Sequence, residues 1–311
     1  MFAKYIKLNN GNEIPPIGLG TYKSNKLNEV IKKSIELGYR LIDTAFIYEN
    51  ESEIGEVLEE IMNSGIVKRE DIFIVSKLWN TQHKSEDVVP AIKTTLSNLR
   101  LNYLDLFLVH WPIAVKKEMK NKFNVLDQPE DDVPIEETWQ AMEQCVKLGY
   151  AKSIGISNFN SIQVDRVLQV AEIKPVVNQV ECNPYINQEK LRKFCKEKDI
   201  VIMAYSPLYA QNRPYAQNYG LELLEEPIIK EISKKYNKTS SQIVLRFLIQ
   251  CEVVPIPKTD NLERLKLNFD IFDFILTSEE FEKIVSLDKN LRCTTFEHAK
   301  MFKEYPFNIE F

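Results

Sequence analysis

The chain has 311 residues, 44% of them hydrophobic, and a formal net charge of -5. That is enough to bury one large core or two medium ones, and too acidic for a general affinity for nucleic acid or anionic membrane. Nine Gly and 14 Pro exclude a linker-rich or disordered chain. The five cysteines, Cys145, Cys182, Cys195, Cys251 and Cys293, form no C-x-x-C pair and leave an odd one over, as expected of reduced thiols in a cytoplasmic protein. Met1-Phe2-Ala3-Lys4-Tyr5 lacks the apolar core of a signal peptide. No stretch reaches the ~18 apolar residues of a membrane span.

In chain order, Tyr5-Ile6-Lys7-Leu8, Asn9-Asn10-Gly11-Asn12 and Glu13-Ile14 predict a hairpin whose turn has the residues for positive φ. Short apolar runs follow at residues 17–20, 41–43, 72–77, 106–110, 153–157, 176–181, 201–205 and 253–257. Segments of helical spacing separate them. Val30, Ile31 and Ile35 stop at Gly38, a helix-end residue. Ile54, Val57, Leu58 and Ile61 follow Asn50-x-x-Glu53, which resembles a capping box. Thr277-Ser278-Glu279-Glu280 opens the last core helix in the same style. Eight strands alternating with helices predict a (β/α)₈ barrel, an α/β fold of ~250 residues plus insertions. The rival, an open doubly wound sheet, calls for G-x-G-x-x-G at its first turn; Gly18-Leu19-Gly20-Thr21-Tyr22-Lys23 lacks the third glycine. We expect residues 1–311 to form a single domain with long connections at residues 112–135 and 207–227 and a tail at 289–311. No long exposed apolar segment is evident, so a monomer is expected.

Three of the apolar runs close on one polar residue: Asp43, Lys77 and His110. Such groups at the mouth of a buried strand are costly without partners, and barrel enzymes carry their chemistry at that end of the strands. The three should converge, with Tyr48 in the loop just beyond the first. A free tyrosine, of pKa about 10, is a poor proton donor at neutral pH, but a nearby cation favours the phenolate. Tyr48 backed by Lys77 and Asp43 is then a candidate general acid, and His110 a hydrogen-bond donor to a carbonyl oxygen. Taken singly, Tyr48 is a packed or surface aromatic, Lys77 a snorkelling strand end and His110 a satisfied core residue. Together they read as an acid–base site. Three scattered His give no zinc spacing, and no metal is expected.

Gly38-Tyr39-Arg40-Leu41-Ile42-Asp43-Thr44-Ala45 followed by Tyr48-x-Asn50-Glu51 resembles the first signature of the aldo-keto reductases. Ser76-Lys77-Leu78-Trp79, Val109-His110-Trp111-Pro112, Gly155-Ile156-Ser157-Asn158-Phe159, Gln179-x-Glu181-x-Asn183-Pro184 and Ile256-Pro257-Lys258 are similar to its later blocks, in family order. The likeness runs from about Ile14 to Tyr305-Pro306-Phe307, and the loops and tail most resemble the aldose and aldehyde reductase branch. It implies a (β/α)₈ barrel that transfers a hydride from NADPH (leaving NADP+) to a small-molecule carbonyl substrate. It also implies a tetrad of Asp43, Tyr48, Lys77 and His110. Relatives that reduce steroid C=C bonds carry Glu at the position of His110, so carbonyl reduction is favoured.

By the same resemblance Gly20 and Thr21 line the cofactor, Ser157, Asn158 and Gln179 hold its carboxamide, and Tyr205 stacks on the nicotinamide. Ser206 and Leu208 meet the pyrophosphate, and Lys258, Thr259, Arg264 and Asn268 the adenosine phosphate. The Arg–Lys pair suits a phosphate on physical grounds too, though Asn261-x-x-Arg264 also fits a helix cap. Tyr22, Trp79, Trp111 and Tyr215 are the expected substrate wall. Tyr22 and Tyr215 stand where aldose reductases usually have Trp, which makes that wall smaller and more polar. Leu267 replaces a Glu that commonly meets the adenine, and Asp260 puts an acid beside the phosphate site. Two other functions stay open on the residues alone: a nucleotide-binding barrel with a structural or sensor role, and an alcohol or steroid dehydrogenase working oxidatively.

Overall fold

The computed structural model describes residues 5–117, 129–209, 221–309 and 311. The expected hairpin is present: β1 (Ile6–Lys7) and β2 (Glu13–Ile14) pair antiparallel with Ile6 opposite Ile14. Gly11 gives its turn a φ of 88°, a conformation that costs glycine least.

Eight parallel strands follow: β3 (Leu19–Gly20), β4 (Leu41–Asp43), β5 (Phe73–Leu78), β6 (Leu106–Val109), β7 (Ile154–Ser157), β8 (Val177–Glu181), β9 (Val201–Tyr205) and β10 (Val254–Pro255). They lie side by side in chain order. Each falls in a run expected from sequence, with ends displaced by a residue or two. The first meets the last through Gly18 N–H to Pro255 O (3.0 Å) and Gly20 N–H to Pro257 O (3.1 Å), which closes the barrel. The two glycines make that seam possible. A Cβ on Gly18 would lie 2.2 Å from Leu41 Cδ2, and one on Gly20 2.8 Å from the Ile256 oxygen. The G-x-G is therefore a close-approach device.

Between the strands run α1 (Leu27–Leu37), α2 (Glu51–Asn63), α3 (Ser85–Leu99), α4 (Ile135–Lys147), α5 (Ser161–Val170), α6 (Glu189–Lys196), α7 (Pro227–Tyr236) and α8 (Ser240–Gln250), and after the last strand come α9 (Leu262–Phe269) and α10 (Ser278–Val285). Neighbours touch in sequence from α1 to α6, and α9 returns against α1. Gly38, at φ 103°, ends α1 as expected, and Thr277 and Glu280 form the expected reciprocal cap of α10. Asn50 departs from expectation: its side chain does not cap α2. It accepts from Thr44 Oγ1 (2.7 Å) and donates to Thr21 O (3.0 Å). The side chain faces the barrel mouth, where it ties two strand ends together.

The two-residue period of the strands sorts their side chains into two cores. Outward-facing Ile42, Ile74, Phe107, Val109, Ile154, Ile156 and Ile202 pack against the helices. Inward-facing Leu41, Phe73, Val75, Leu106, Leu108, Val177, Met203 and Val254 fill the barrel, and Leu8 and Ile14 of the hairpin segment plug it. This parity decides which side chains reach the open end. Continuing the inward rows gives Asp43, Lys77, His110, Gln179 and Tyr205; on β7, where Ile154 and Ile156 face out, it gives Ser157.

Candidate active site

Lys77 Nζ donates to Asp43 Oδ1 at 2.7 Å and to the Thr44 carbonyl at 2.8 Å, with both charged side chains almost wholly buried. Burial holds the Lys77 ammonium below the usual lysine range, against the pull of Asp43. Asp43 Oδ2 accepts from Gln179 Nε2 at 2.8 Å. From there the bonds run along the mouth. Ser157 Oγ donates to Gln179 O (2.8 Å), Asn158 Nδ2 to Ser157 Oγ (3.2 Å) and to His110 O (2.9 Å), and Tyr205 Oη to Asn158 Oδ1 (2.8 Å). Asn158 makes this turn at φ 63°, in the left-handed region that asparagine tolerates better than most residues.

Tyr48 ends a short 3₁₀ turn, Phe46–Tyr48, directly after β4. Its ring centre lies 5.1 Å from Lys77 Nζ and 5.9 Å from the His110 ring, and Tyr22 meets it edge-on at 4.8 Å. The four groups expected to converge do so. His110 is pushed well below the ordinary imidazole range by burial, with the Lys77 charge adding to the effect, and its Nδ1 is buried without a partner. It is therefore neutral at pH 7, with one ring N–H to offer. Among the described residues no cluster of His, Cys, Asp and Glu could hold a metal ion.

His83, on the turn between β5 and α3, is also buried, and its pKa is pushed down to about 3 by desolvation. Both histidines take up a proton in the unfolded chain near pH 6.5 but not in the folded one. Stability is therefore complete above that pH and falls as the pH drops below it. Each should cost about 1 kcal/mol between one unit above and one unit below the free imidazole value. Urea unfolding at the two pH values should show this loss, and His83→Gln should remove about 1 kcal/mol of it.

The remaining sequence-derived residues divide by place. Thr21 is buried, and its hydroxyl (2.8 Å) and amide (3.1 Å) both donate to Asp43 O, so it braces the acid's backbone. Gly20 is in the barrel seam. Ser206, at φ 49°, follows β9 with its Oγ buried and unpartnered, and Leu208 packs beside it against the outer core. Lys258 and Thr259 lie just past β10, while Arg264 and Asn268 sit on α9. Asn261 caps that helix by accepting from the backbone N–H of Arg264 (2.9 Å), which leaves the guanidinium out of the cap. Tyr215 lies outside the described residues, as do parts of the two long connections.

Trp79 and Trp111 are nearly buried beside the tetrad, and Trp79 stands 5.3 Å from the His110 ring. The tail supplies partners that pattern reading missed. Phe296 stacks on Trp111 at 4.6 Å and 14°, and Phe307 meets it edge-on at 5.9 Å. Glu181, buried at the end of β8, accepts from the amides of Cys293 and Thr294 (2.9 Å each) and pins the start of the tail. Glu304 is gripped by Arg166 through two bonds of 2.9 Å. A carboxylate closing a strand-like run is a visible signal for Glu181; the packing of the tail aromatics on Trp111 has none.

The sequence matches the Aldo/keto reductase family over residues 16–289. It is 45% identical over 295 residues to aldo-keto reductase family 1 member A1 of Gallus gallus, covering 93% of this chain and 90% of that protein. The structure of the aldose reductase from Schistosoma japonicum superposes with a TM-score of 0.92 at 40% identity, over 99% of this chain and 100% of that one. The Bombyx mori aldo-keto reductase in complex with NADP gives 0.90 at 38%, over 98% and 99%. A family match across most of the chain, on a closed barrel with this constellation at its mouth, has one reading: the chain belongs to the aldo-keto reductase family.

Proposed function

We propose that this chain reduces aldehydes and ketones to alcohols with NADPH, and that Tyr48 is the proton donor. The observation that carries the reading is the buried Lys77–Asp43 pair, whose ammonium lies 5.1 Å from the Tyr48 ring. When bound, the reduced nicotinamide supplies the hydride that forms the new C–H bond. The chain's own residues handle the oxygen. Neutral His110 donates an N–H to the carbonyl oxygen and orients it. As electrons move from the C=O bond onto that oxygen, the Tyr48 hydroxyl transfers its proton there. Lys77 offsets the negative charge left on Tyr48, and Asp43 holds Lys77 in place, itself held by Gln179.

The rim suits an extended dinucleotide. At one end are the amide and hydroxyl groups of Asn158, Gln179 and Ser157. In the middle the unpartnered Ser206 Oγ is a ready donor to a pyrophosphate oxygen. Lys258 and Arg264 stand at the other end. The substrate wall is aromatic, built from Tyr22, Trp79 and Trp111, which suits small apolar carbonyls or the carbon face of a sugar. Phe296 covers one face of Trp111, so the tail contributes to that wall. Among the described residues no helix is long and apolar enough to cross a membrane, and we read the chain as a cytoplasmic monomer. NADPH consumption measured against a panel of small aromatic aldehydes, ketones and aldoses should show turnover, fastest with the aromatic aldehydes. Tight NADPH binding without turnover on any carbonyl would overturn the reading.

A further inference from the structure

The loop that leaves β10 carries a feature at odds with a site built for a phosphorylated ribose. Lys258 Nζ, an ammonium that the dinucleotide reading assigns to the 2′-phosphate, donates to Asp260 Oδ2 at 2.6 Å. The same carboxylate accepts from Ser24 Oγ at 2.5 Å and from the Asn25 amide at 3.4 Å. Lys258 and Asp260 are about a quarter exposed, so solvent only partly screens the pair. Burial works against the Asp260 carboxylate, but Lys258 and Ser24 outweigh it and hold the acid below its usual range. Arg264 is exposed, and among the described residues its guanidinium has no hydrogen bond or ion pair. Lys258, Arg264 and Asp260 together carry one net positive charge where the two cations alone would carry two.

A ribose 2′-phosphate, close to doubly charged, would have to share Lys258 with a carboxylate and sit against that carboxylate's own charge. A ribose 2′-hydroxyl meets the opposite situation. It can donate to Asp260, the role an acid takes at the ribose in dinucleotide sites that select the unphosphorylated cofactor. We infer that Asp260 is a specificity-determining residue that lets this chain bind NAD(H) with an affinity comparable to NADP(H). The inference rests on the dinucleotide reading above and deepens it.

Quenching of tryptophan fluorescence, titrated with NADP+ and with NAD+ on the full chain, separates the two. The wild type should bind both with Kd values within about tenfold of each other, since one net charge remains to favour the phosphate. Asp260→Asn keeps the side chain's size and removes its charge, and should shift the ratio about tenfold towards NADP+. In a Lys258→Met background the same change should shift the ratio by less than it does in the wild type, because only the direct effect of the Asp260 charge on the 2′ group remains. A ratio that Asp260→Asn leaves unmoved, or a wild type that prefers NADP+ about a thousandfold, overturns the inference and leaves the cofactor site standing. Quenching by neither dinucleotide overturns the site itself, and the inference with it.

Discussion

Tyr48→Phe should cut kcat for aldehyde reduction by about 10²–10⁴ while leaving the barrel folded and dinucleotide binding intact. Only the hydroxyl is lost. The ring that rests against Tyr22 and above Lys77 stays, so packing gives no reason for a fall in stability. Because the proton moves in the transition state and not on binding, the loss should appear in kcat with KM little changed. Steady-state kinetics on one good aldehyde, paired with NADP+ titration of the same sample, decides the matter. Activity within about tenfold of wild type would remove Tyr48 from the chemistry, because that is less than general acid catalysis normally supplies.

The parts of the site that were legible in the sequence share one physical basis. A strand buried on both faces reads as an apolar run, so a single acid, base or imidazole at its end is conspicuous. Asp43, Lys77 and His110 could be named on that ground, and parallel neighbouring strands bring them together. Tyr48 is different. It sits in a turn with no period of its own, and only its place in the loop just past the Asp43 strand, within reach of the Lys77 charge, singles it out; the family resemblance agrees. Asn50 misled: its spacing to Glu53 fits a helix cap, yet Thr44 and Thr21 outcompete the helix for its side chain. Long-range partners left no local trace. Ser24 and Asp260 are 236 positions apart, and nothing in either neighbourhood announces the bond. The stacking of Phe296 on Trp111 likewise depends on where a C-terminal tail comes to rest. The acid at Asp260 was visible as an oddity, but its grip on Lys258 needed coordinates.

The Asp43–Lys77 pair allows the sharpest separation of stability from chemistry. Lys77→Met leaves a buried carboxylate with only the Gln179 amide as a side-chain donor, and Asp43→Asn leaves a buried ammonium without its carboxylate partner, held by neutral oxygens such as the Thr44 carbonyl. Removing one partner of a buried pair strands the other charge, and each single variant should lose about 3–5 kcal/mol of unfolding free energy. The double variant Asp43→Asn/Lys77→Met removes both charges of the pair. Its stability should return to within about 1–2 kcal/mol of wild type, well short of the sum of the two losses. Turnover should not return, since no ammonium remains to offset the charge on Tyr48. Urea unfolding followed by circular dichroism gives the first quantity, and NADPH consumption on the same preparations the second. If instability and inactivity rose and fell together across the three variants, the pair would be structural only. If the double variant regained activity with its stability, the proton would have to come from a route in which Lys77 plays no part.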